Sequence, residues 1–484
     1  GMQQIARKAV NKGLYALDKR QGYRGPLKQL APEKIESFSQ ELQGQISKNP
    51  LEPGRRVKAV VIEVDNAADA VVVRIGEERG KIEFRDMRWA GPQGANGQKK
   101  AIHEPGDVLA VGDVILVRIK ETDTDENETV FPAALEQTPA VQAALLCIET
   151  GTGDVKVMIG GRDFSDSQFN RVTQARRQPG SAFKPIIYAA ALDKGYTPAT
   201  VVFDSPIVFR DIKQDFTWKP KNYDETFHGP TLFRTGLIKS RNIITVKILR
   251  DIGIDYSIEY ARKLGITSKL DRDLSLALGS SGMSLFEILR AYTVFANQGK
   301  LIEPVFINRI EDRDGNVIFE KKPEKNQVID ESTAYIITHL LKEVVQSGTG
   351  WRIKALERPA AGKTGTTNNL YDAWFIGYTP RYVTGVWVGF DEEKSLGKNE
   401  TGSRAASPIW LDYMKQVLAG ESEKVFPVPE DVVFTKIDLE TGLLPIKESE
   451  HTAYECFKEG TAPKEKTRAS GTVDSDDFFK HGLD

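Results

Sequence analysis

Cysteine and histidine are scarce in this sequence. Two cysteines, Cys147 and Cys456, and five histidines are spread over 484 residues. Cys147 lies in an apolar run, where a small buried side chain is expected. Because the few thiols and imidazoles do not stand at ligand spacing, the sequence excludes a disulfide framework and offers no set of metal ligands. We therefore expect neither a metal ion nor an organic cofactor.

Long apolar runs and an excess of one charge are also missing. No stretch of about 18 apolar residues occurs, so the sequence predicts no transmembrane helix. The chain carries 66 basic and 68 acidic side chains, a balance that gives no electrostatic argument for nucleic-acid binding. No signal peptide is visible, and the start, Gly1-Met2-Gln3-Gln4, resembles a cloning remnant before an internal segment. The missing anchor is therefore no evidence about the full-length protein.

The chain is too long for a single hydrophobic core, so several domains are expected. Shifts in composition predict a linker region over 1–53, a small all-β module over 54–135 and a large mixed domain over 136–430. A C-terminal extension follows over 431–484. It is rich in Lys, Glu, Asp, Gly and Ser, and we expect it to be partly mobile.

Short β-branched runs separated by Gly, Asn and Asp define the small module. They are Val57–Val64, Ala70–Ile75 and Val114–Ile119. Such runs are typical of a small barrel of the oligonucleotide/oligosaccharide-binding (OB) type. The module either contacts glycan or protein or serves as a spacer. We do not expect it to bind nucleic acid, because that use of the fold needs basic grooves and aromatic platforms.

The large domain begins and ends with strands and has helices between them. The predicted strands are Ala143–Glu149, Val155–Gly160, Trp374–Gly377 and Tyr382–Gly389. The predicted helices, with apolar residues at helical spacing, are Ser181–Lys194, Phe233–Ile252 and Leu285–Gln298. This order predicts an α/β (α+β) domain with one antiparallel sheet whose edge strands come from the two ends of the domain.

The first candidate catalytic motif is a serine one helical turn before a lysine. Pro179-Gly180 ends the preceding segment, Ser181 begins a helix, and Lys184 shares its face. A serine hydroxyl is a poor nucleophile without a base, and Lys184 can be that base if burial or a nearby cation lowers its pKa. Backbone N–H groups at the helix start would lie near a developing oxyanion. Alone, the motif is weak, because such pairs are common on surface helices.

The second motif is the run Lys239-Ser240-Arg241-Asn242-Ile243. Ser240 can relay a proton between Lys184 and a leaving amine. Asn242 can hold a substrate amide and also touch Lys184. Serine and asparagine are equally typical of helix caps and turns, so this segment alone favours a structural interpretation.

The third motif is a run of small and hydroxylated residues around a lysine. Its candidate substrate-binding residues are Lys363, Thr364, Gly365, Thr366 and Thr367. The lysine and the hydroxyls of Thr364 and Thr366 offer hydrogen-bond donors to a carboxylate, and a substrate backbone could add to the strand edge. Gly362 and Gly365 would keep its approach clear. A phosphate loop is excluded, because Glu357 stands where its first glycine is required.

Together the three motifs follow the order of the S-x-x-K, S-x-N and K-T-G set of β-lactamases and penicillin-binding proteins. The sequence resembles class A high-molecular-mass penicillin-binding proteins, most closely the 1a type of Gram-negative bacteria. Further runs that carry the resemblance are Arg20–Pro26, Gly160–Phe164, Gln168–Arg171, Ala175–Gly180, Ala277–Ser284, Ala291–Gly299 and Asp372–Pro380. The family's membrane anchor and glycosyltransferase domain, which precede this region, are missing, so we expect no polymerising activity from this chain.

The resemblance implies a penicilloyl-serine transferase (β-lactamase-like) fold and a D,D-transpeptidase of peptidoglycan synthesis. The site would lie at the periplasmic face of the bacterial inner membrane. Its donor would be a stem peptide ending in D-alanyl-D-alanine, whose carboxylate meets Lys363, Thr364 and Thr366. β-Lactam antibiotics would mimic this donor. A periplasmic regulatory protein is a candidate partner of the OB-like module, and no cofactor is implied.

The resemblance also implies a mechanism. Ser181 would attack the penultimate carbonyl with Lys184 as base, and the backbone N–H groups of Ser181 and Thr366 would form the oxyanion hole. D-Alanine would leave with a proton passed through Ser240. An amine from a neighbouring stem would then complete the crosslink, whereas water would give carboxypeptidation.

Two alternatives stay open. A serine β-lactamase would share the motifs, but no glutamate between Ser240 and Lys363 has an asparagine four residues later, as the deacylating segment of class A enzymes requires. A β-lactam sensor or a structural wall-binding protein would share the site without turnover. Release of D-alanine distinguishes these possibilities from a transpeptidase.

Overall fold

The structure is a computed structural model that describes residues 1–92, 99–121, 130–211, 216–321 and 324–468. Two helices come first, α1 (Met2–Gln21) and α2 (Ile35–Ile46). The first sheet contains β1 (Lys28–Gln29), β2 (Arg56–Asp65), β3 (Ala70–Ile75), β4 (Glu78–Glu83), β5 (Asp113–Ile119) and β6 (Val130–Glu136). The three β-branched runs predicted as strands are confirmed as β2, β3 and β5.

The first sheet closes into a small barrel. Its strand order is β1-β5-β2-β3-β4-β6, and β5 also pairs with β6. Five strands therefore form a closed ring, with β1 added at β5, and β4 and β6 run parallel. Alternate apolar side chains, such as Val71 and Val73, fill the interior. This closed five-stranded architecture is that of the predicted OB-like module.

The rest of the chain forms a mixed domain. Its helices are α3 (Lys184–Asp193), α4 (Phe233–Ile238), α5 (Asn242–Ile252), α6 (Ile254–Lys263), α7 (Leu285–Ala296), α8 (Glu331–Ser347), α9 (Gly402–Ala405) and α10 (Ser407–Val417). Its strands are β7 (Gln142–Glu149), β8 (Val155–Ile159), β9 (Val201–Asp204), β10 (Phe209–Asp211), β11 (Phe216–Trp218), β12 (Gly229–Leu232), β13 (Lys300–Ile302), β14 (Arg309–Glu311), β15 (Val317–Glu320), β16 (Lys325–Gln327), β17 (Ala361–Thr366), β18 (Asp372–Tyr378), β19 (Tyr382–Gly389), β20 (Val432–Asp438) and β21 (Thr452–Lys458).

The central sheet of this domain has the order β17-β18-β19-β7-β8, and every pair is antiparallel. Its edges, β8 and β17, come from the two ends of the domain, as predicted. Successive residues of β7 point to opposite faces: Leu146 packs with α3, α7 and α8, whereas Leu145 packs with α1 and α10. Both faces are covered by helices, so the sheet is buried and β17 lies at its edge beside the helical layer.

Apart from shifts of one or two residues at the ends of α3 and α7, the helices differ from the sequence prediction in two places. The predicted helix Phe233–Ile252 breaks after Ile238 and resumes at Asn242. The predicted helix from Ser181 begins instead as a 3₁₀ turn, Gly180–Phe183, before α3. Both departures concern the motifs, where hydrogen bonds to the rest of the protein replace regular helical geometry.

The two ends of the chain are more structured than the sequence indicates. Helix α1, inside the expected linker, buries Ala6, Val10 and Leu14 in the core below the sheet. Strands β20 and β21, inside the expected mobile extension, form a hairpin. The expectation of mobility also falls on 469–484, which lie outside the described residues.

A buried carboxylate joins the C-terminal hairpin to the mixed domain. Glu455, fully buried, accepts a hydrogen bond from Arg234 Nε at 2.6 Å and lies 3.0 Å from His339 Nε2. Cys456 is next to it, so three ligand types meet here. Both carboxylate oxygens already have cationic or imidazole partners, and the guanidinium would repel a metal ion. The cluster therefore serves as an ion pair that fixes the hairpin.

Among the described helices, none is both long enough and apolar enough to cross a bilayer.

Candidate active site

Ser181 lies in the 3₁₀ turn before α3, and two glycines press this turn against β17. Gly180 has a φ of +56°, and a Cβ there would lie 2.5 Å from the Thr366 carbonyl oxygen. A Cβ on Gly365 would collide with the Pro179 carbonyl oxygen. Any side chain at either glycine would push the two segments apart. Ser181 is thereby held beside the edge strand of the sheet.

The packing around Gly365 corrects one expectation. The sequence suggested that Gly362 and Gly365 leave room for a substrate. The space beside Gly365 is instead filled by the turn before α3, and a Cβ on Gly362 would lie 2.7 Å from the Phe375 ring. These glycines allow close packing inside the protein.

The Lys184 side chain has no exposed surface. Its Nζ donates to the Ser240 carbonyl oxygen at 2.7 Å and to Asn242 Oδ1 at 2.8 Å. Ser240 Oγ lies 3.4 Å from the same nitrogen. Burial, followed by the charges of Lys363 and Arg241, holds the pKa of Lys184 well below its ordinary value. The lowered pKa favours the neutral form of the amine, which is the form that accepts a proton.

Ser240 occupies a left-handed turn between α4 and α5, with a φ of +57°. Its N–H donates to the Leu237 carbonyl, and the next N–H donates to the Gly236 carbonyl. A left-handed conformation costs a residue with a side chain roughly 1 kcal/mol. The turn directs both the carbonyl and the hydroxyl of Ser240 toward Lys184, which explains why the predicted continuous helix breaks here.

Lys363 approaches the same hydroxyl from the other side. It is fully buried on β17, and its Nζ lies 2.9 Å from Ser240 Oγ and 3.2 Å from the Thr364 carbonyl oxygen. Burial lowers the pKa of Lys363 to about 7. Ser240 Oγ is thus placed between two amines that both titrate below their ordinary range.

The three threonines of β17 and its following turn have different hydrogen-bond partners. Thr364 Oγ1 lies 2.7 Å from Thr349 Oγ1. Thr366 Oγ1 accepts the Gly402 N–H at 3.0 Å, which leaves its own proton free to donate into the cavity. Thr367 Oγ1 accepts two backbone N–H groups of the β17–β18 turn. The Thr367 hydroxyl is therefore engaged mainly in closing the turn, although the residue lines the cavity.

Asn242 is fixed by both ends of its amide. Oδ1 accepts from Lys184, and Nδ2 donates to the Lys221 carbonyl at 2.9 Å. A second asparagine, Asn222, caps α5 from outside the helix: its Oδ1 accepts the backbone N–H of Asn242 at 2.9 Å. Buried Asp204 accepts from Asn222 Nδ2 at 2.8 Å. The motif pattern gives no sign of Asn222, because it caps a helix that begins 20 residues later.

These groups surround one cavity of about 440 Å³. Of the predicted site residues, its wall contains Ser181, Ser240, Asn242, Thr364, Thr366 and Thr367. Lys184 and Lys363 lie behind this wall, where both amines contact Ser240. The motifs did not point to the remaining wall, which includes exposed Tyr223 and Trp351 at the rim and Thr401 and Ser403 opposite.

Asp224 is the carboxylate that lines this cavity among the described residues. It is paired with Arg241 and lies 3.2 Å from His228 Nε2. Although burial opposes it, hydrogen bonding to Arg241 and to the Thr226 N–H lowers the pKa of Asp224. An ionised carboxylate held by a guanidinium is a weak proton acceptor. The arrangement therefore suits serine-based acyl transfer with an amine base more than carboxylate-assisted hydrolysis.

Comparison with protein families gives two matches that together cover most of the chain. Residues 143–415 match the penicillin binding protein transpeptidase domain, and residues 23–141 match the penicillin-binding protein OB-like domain. The first match contains all three motifs. The fold class predicted from the sequence, a transpeptidase domain of the penicilloyl-serine transferase type with an OB-like module, is confirmed.

Curated relatives agree. The chain is 36% identical over 515 residues to penicillin-binding protein 1A of Pseudomonas aeruginosa, covering 96% of the chain and 61% of that protein. It is 32% identical over 516 residues to penicillin-binding protein 1A of Vibrio cholerae, covering 96% of the chain and 62% of that protein. The chain thus spans about three fifths of the length of these relatives.

Two solved structures of similar proteins also superpose on this chain. The crystal structure of penicillin-binding protein 1A from Haemophilus influenzae superposes with a TM-score of 0.79 at 30% identity, covering 96% of this chain and 72% of that one. PonA1 from Mycobacterium tuberculosis in complex with penicillin V gives a TM-score of 0.54 at 25% identity, covering 60% of this chain and 82% of that one.

Proposed function

The chain belongs to the penicillin-binding protein transpeptidase family, and from this premise we propose that it crosslinks peptidoglycan stem peptides through an acyl-enzyme on Ser181. The observation that carries the proposal is the position of Ser240 Oγ, 3.4 Å from the Lys184 amine and 2.9 Å from the Lys363 amine. The lowered pKa of Lys184 favours its role as a base, and Lys363 can carry the positive charge that a carboxylate requires.

In the proposed first step, the terminal carboxylate of a D-alanyl-D-alanine donor binds Lys363 and the hydroxyls of Thr364 and Thr366. Ser181 Oγ attacks the penultimate carbonyl carbon, and Lys184 accepts its proton. The backbone N–H groups of Ser181 and Thr366 stabilise the oxyanion. When the C–N bond breaks, D-alanine leaves as an amine that takes its proton through Ser240.

In the second step, an acceptor amine attacks the ester carbonyl, and its proton returns to Ser181 as the C–O bond breaks. Water in place of the amine gives a trimmed stem. A β-lactam carries a carboxylate beside a strained amide and would follow the first step, leaving Ser181 acylated.

The site would act at the periplasmic face of the bacterial inner membrane. A regulatory protein bound at the OB-like module stays a prediction.

Turnover tests this proposal against a sensor that is acylated but does not react further. With a D-alanyl-D-alanine peptide or a thioester analogue, we expect release of D-alanine or of the thiol, and an added acceptor amine should increase it. Chromatography would quantify the released group and the new amide. Acylation by penicillin without any release from the donor would favour the sensor.

The same assay addresses the β-lactamase alternative. Because the one described carboxylate of the cavity wall is held by Arg241, we expect the penicilloyl ester to persist long after excess antibiotic is removed. Fluorescent-penicillin labelling followed over time would measure this. Rapid loss of label with free hydrolysed penicillin would instead identify a β-lactamase.

The pH dependence of acylation should show the ionisation of Lys363. In the free enzyme this lysine has a pKa of about 7, and the efficiency of acylation reports free-enzyme ionisations. As the pH rises above 7, Lys363 loses the charge that attracts the antibiotic's carboxylate, so the second-order acylation constant should fall. Lys363→Arg retains its charge and should lack this decline.

The control for this pH profile is Lys239→Arg. Lys239 is an exposed lysine at the cavity rim, and its replacement should leave the wild-type decline in place. Identical profiles for wild type and Lys363→Arg between pH 6 and 9 would contradict the role of Lys363.

A further inference from the structure

A segment far from the three motifs forms part of the cavity wall. Thr401 and Ser403 line the cavity, and Gly402 between them donates its N–H to Thr366 Oγ1 at 3.0 Å. A Cβ on Gly402 would collide with the Trp374 carbonyl oxygen and lie 2.5 Å from the Gly365 carbonyl oxygen. The segment therefore packs directly on β17 and β18, and its Gly402 N–H binds the Thr366 hydroxyl oxygen.

The N-terminal helix holds this segment in place. Arg20 Nε lies 2.7 Å from Glu400 Oε1, and Arg20 Nη2 lies 2.8 Å from Oε2, a bidentate pair. Glu400, 4% exposed, immediately precedes Thr401. One residue further along α1, Gln21 Nε2 donates to the Leu396 carbonyl at 2.9 Å. Both contacts come from the last turn of α1, so the end of that helix fixes the wall segment.

The same end of α1 is joined to the OB-like module. Arg24 binds buried Asp18 of α1 at 2.7 Å, and its backbone N–H donates to Gln137 Oε1 at 3.0 Å. Gln137 Nε2 in turn donates to the Gly22 carbonyl at 2.7 Å. The last turn of α1 therefore lies at a junction between the module, the wall segment and, through Gly402, the site.

We propose that Arg20 and Glu400 are positioning residues for the carboxylate-binding end of the site, acting through Gly402 on the hydroxyl of Thr366. What Thr366 binds rests on the proposed function, whereas the positioning itself does not. Among the described residues, loss of the guanidinium leaves the buried carboxylate with Arg404, 3.4 Å away, as its remaining cation. Glu400 then moves toward solvent and takes Thr401 and Gly402 with it.

Rapid-mixing kinetics with penicillin separate the dissociation constant of the initial complex from the rate of acylation. Arg20→Met should raise that dissociation constant about tenfold, the loss of a single good contact, and change the acylation rate less than twofold. Arg20→Lys should restore much of the affinity. In a Thr366→Val background, Arg20→Met should have little further effect. A general loss of stability would instead weaken both backgrounds equally and overturn the proposal.

The matched control is Lys12→Met. Lys12 forms an exposed ion pair with Asp412 at 3.0 Å, which also joins α1 to the mixed domain but at α10. The Lys12→Met substitution should leave the dissociation constant of the initial penicillin complex unchanged. An equal effect of Lys12→Met and Arg20→Met would show that any loosening of α1 suffices, and would overturn the proposal.

Amide hydrogen exchange of the uncomplexed protein gives a readout that needs no acylation. Arg20→Met should speed exchange in a peptide covering 397–406, whereas Lys12→Met should not. If the wild type is not acylated at all, the proposed function fails, yet the exchange comparison still decides the positioning. Unchanged hydrogen exchange of this peptide in both variants would overturn the proposed positioning role of Arg20 and Glu400.

Discussion

Replacing Lys184 with arginine is expected to lower the rate of acylation by a β-lactam by about 10³-fold, the scale of a lost general base. Arginine keeps the positive charge but cannot give up its proton in a protein. The pKa of Lys184 is lowered by burial and by the neighbouring cations Lys363 and Arg241, which favours the neutral amine that accepts a proton. Stopped-flow fluorescence with a labelled penicillin would measure the rate. A change below about tenfold, roughly 1.4 kcal/mol, would show that Lys184 is not the base.

The control for this experiment is Lys194→Arg. Lys194 follows the last residue of the same helix and is exposed. The Lys194→Arg substitution therefore makes the same chemical change without altering the cavity. Its acylation rate and melting temperature should match those of the wild type. A comparable loss of rate in Lys194→Arg would mean that the assay reports a disturbed helix.

Replacing Ser181 with alanine is expected to abolish penicillin labelling while leaving the fold intact. The Ser181 hydroxyl has no hydrogen-bond partner within the part of the chain that the structure describes, so its removal should cost less than about 0.5 kcal/mol of stability. The helix, the two lysines and Ser240 keep their contacts without it. Thermal unfolding should therefore give a nearly unchanged melting temperature. Labelling that survives the substitution would exclude Ser181 as the nucleophile.

The strands of the central sheet could be predicted because their sequences are distinctive. Runs such as Tyr382–Gly389 are apolar, short and rich in β-branched or aromatic residues, and the structure gives that strand the same bounds. The motifs could be placed because each has fixed spacing within a few residues. Local pattern therefore predicted the strands of the sheet and the positions of the motifs, but not the 3₁₀ turn that contains Ser181.

The features that the sequence did not predict depend on contacts between distant segments. Ser240 leaves the helical path because its carbonyl binds Lys184, 56 residues away. Asn222 caps α5 although it lies 20 residues earlier in the chain, and α1 packs under the sheet although its composition is polar. The hydrophobic periodicity of a single segment cannot predict contacts with distant segments. For the same reason, the burial that lowers the pKa of Lys184 could be stated only as a condition from the sequence.

Mapping the penicillin adduct tests the central claim most directly. Trypsin should release residues 178–194 as one peptide, because the bond between Lys184 and Pro185 resists cleavage, and its one serine is Ser181. After brief exposure to penicillin, mass spectrometry should find this peptide heavier by one intact antibiotic, with fragment ions that place the addition on Ser181. An adduct on any other peptide, including the one that carries Ser240, would contradict the account.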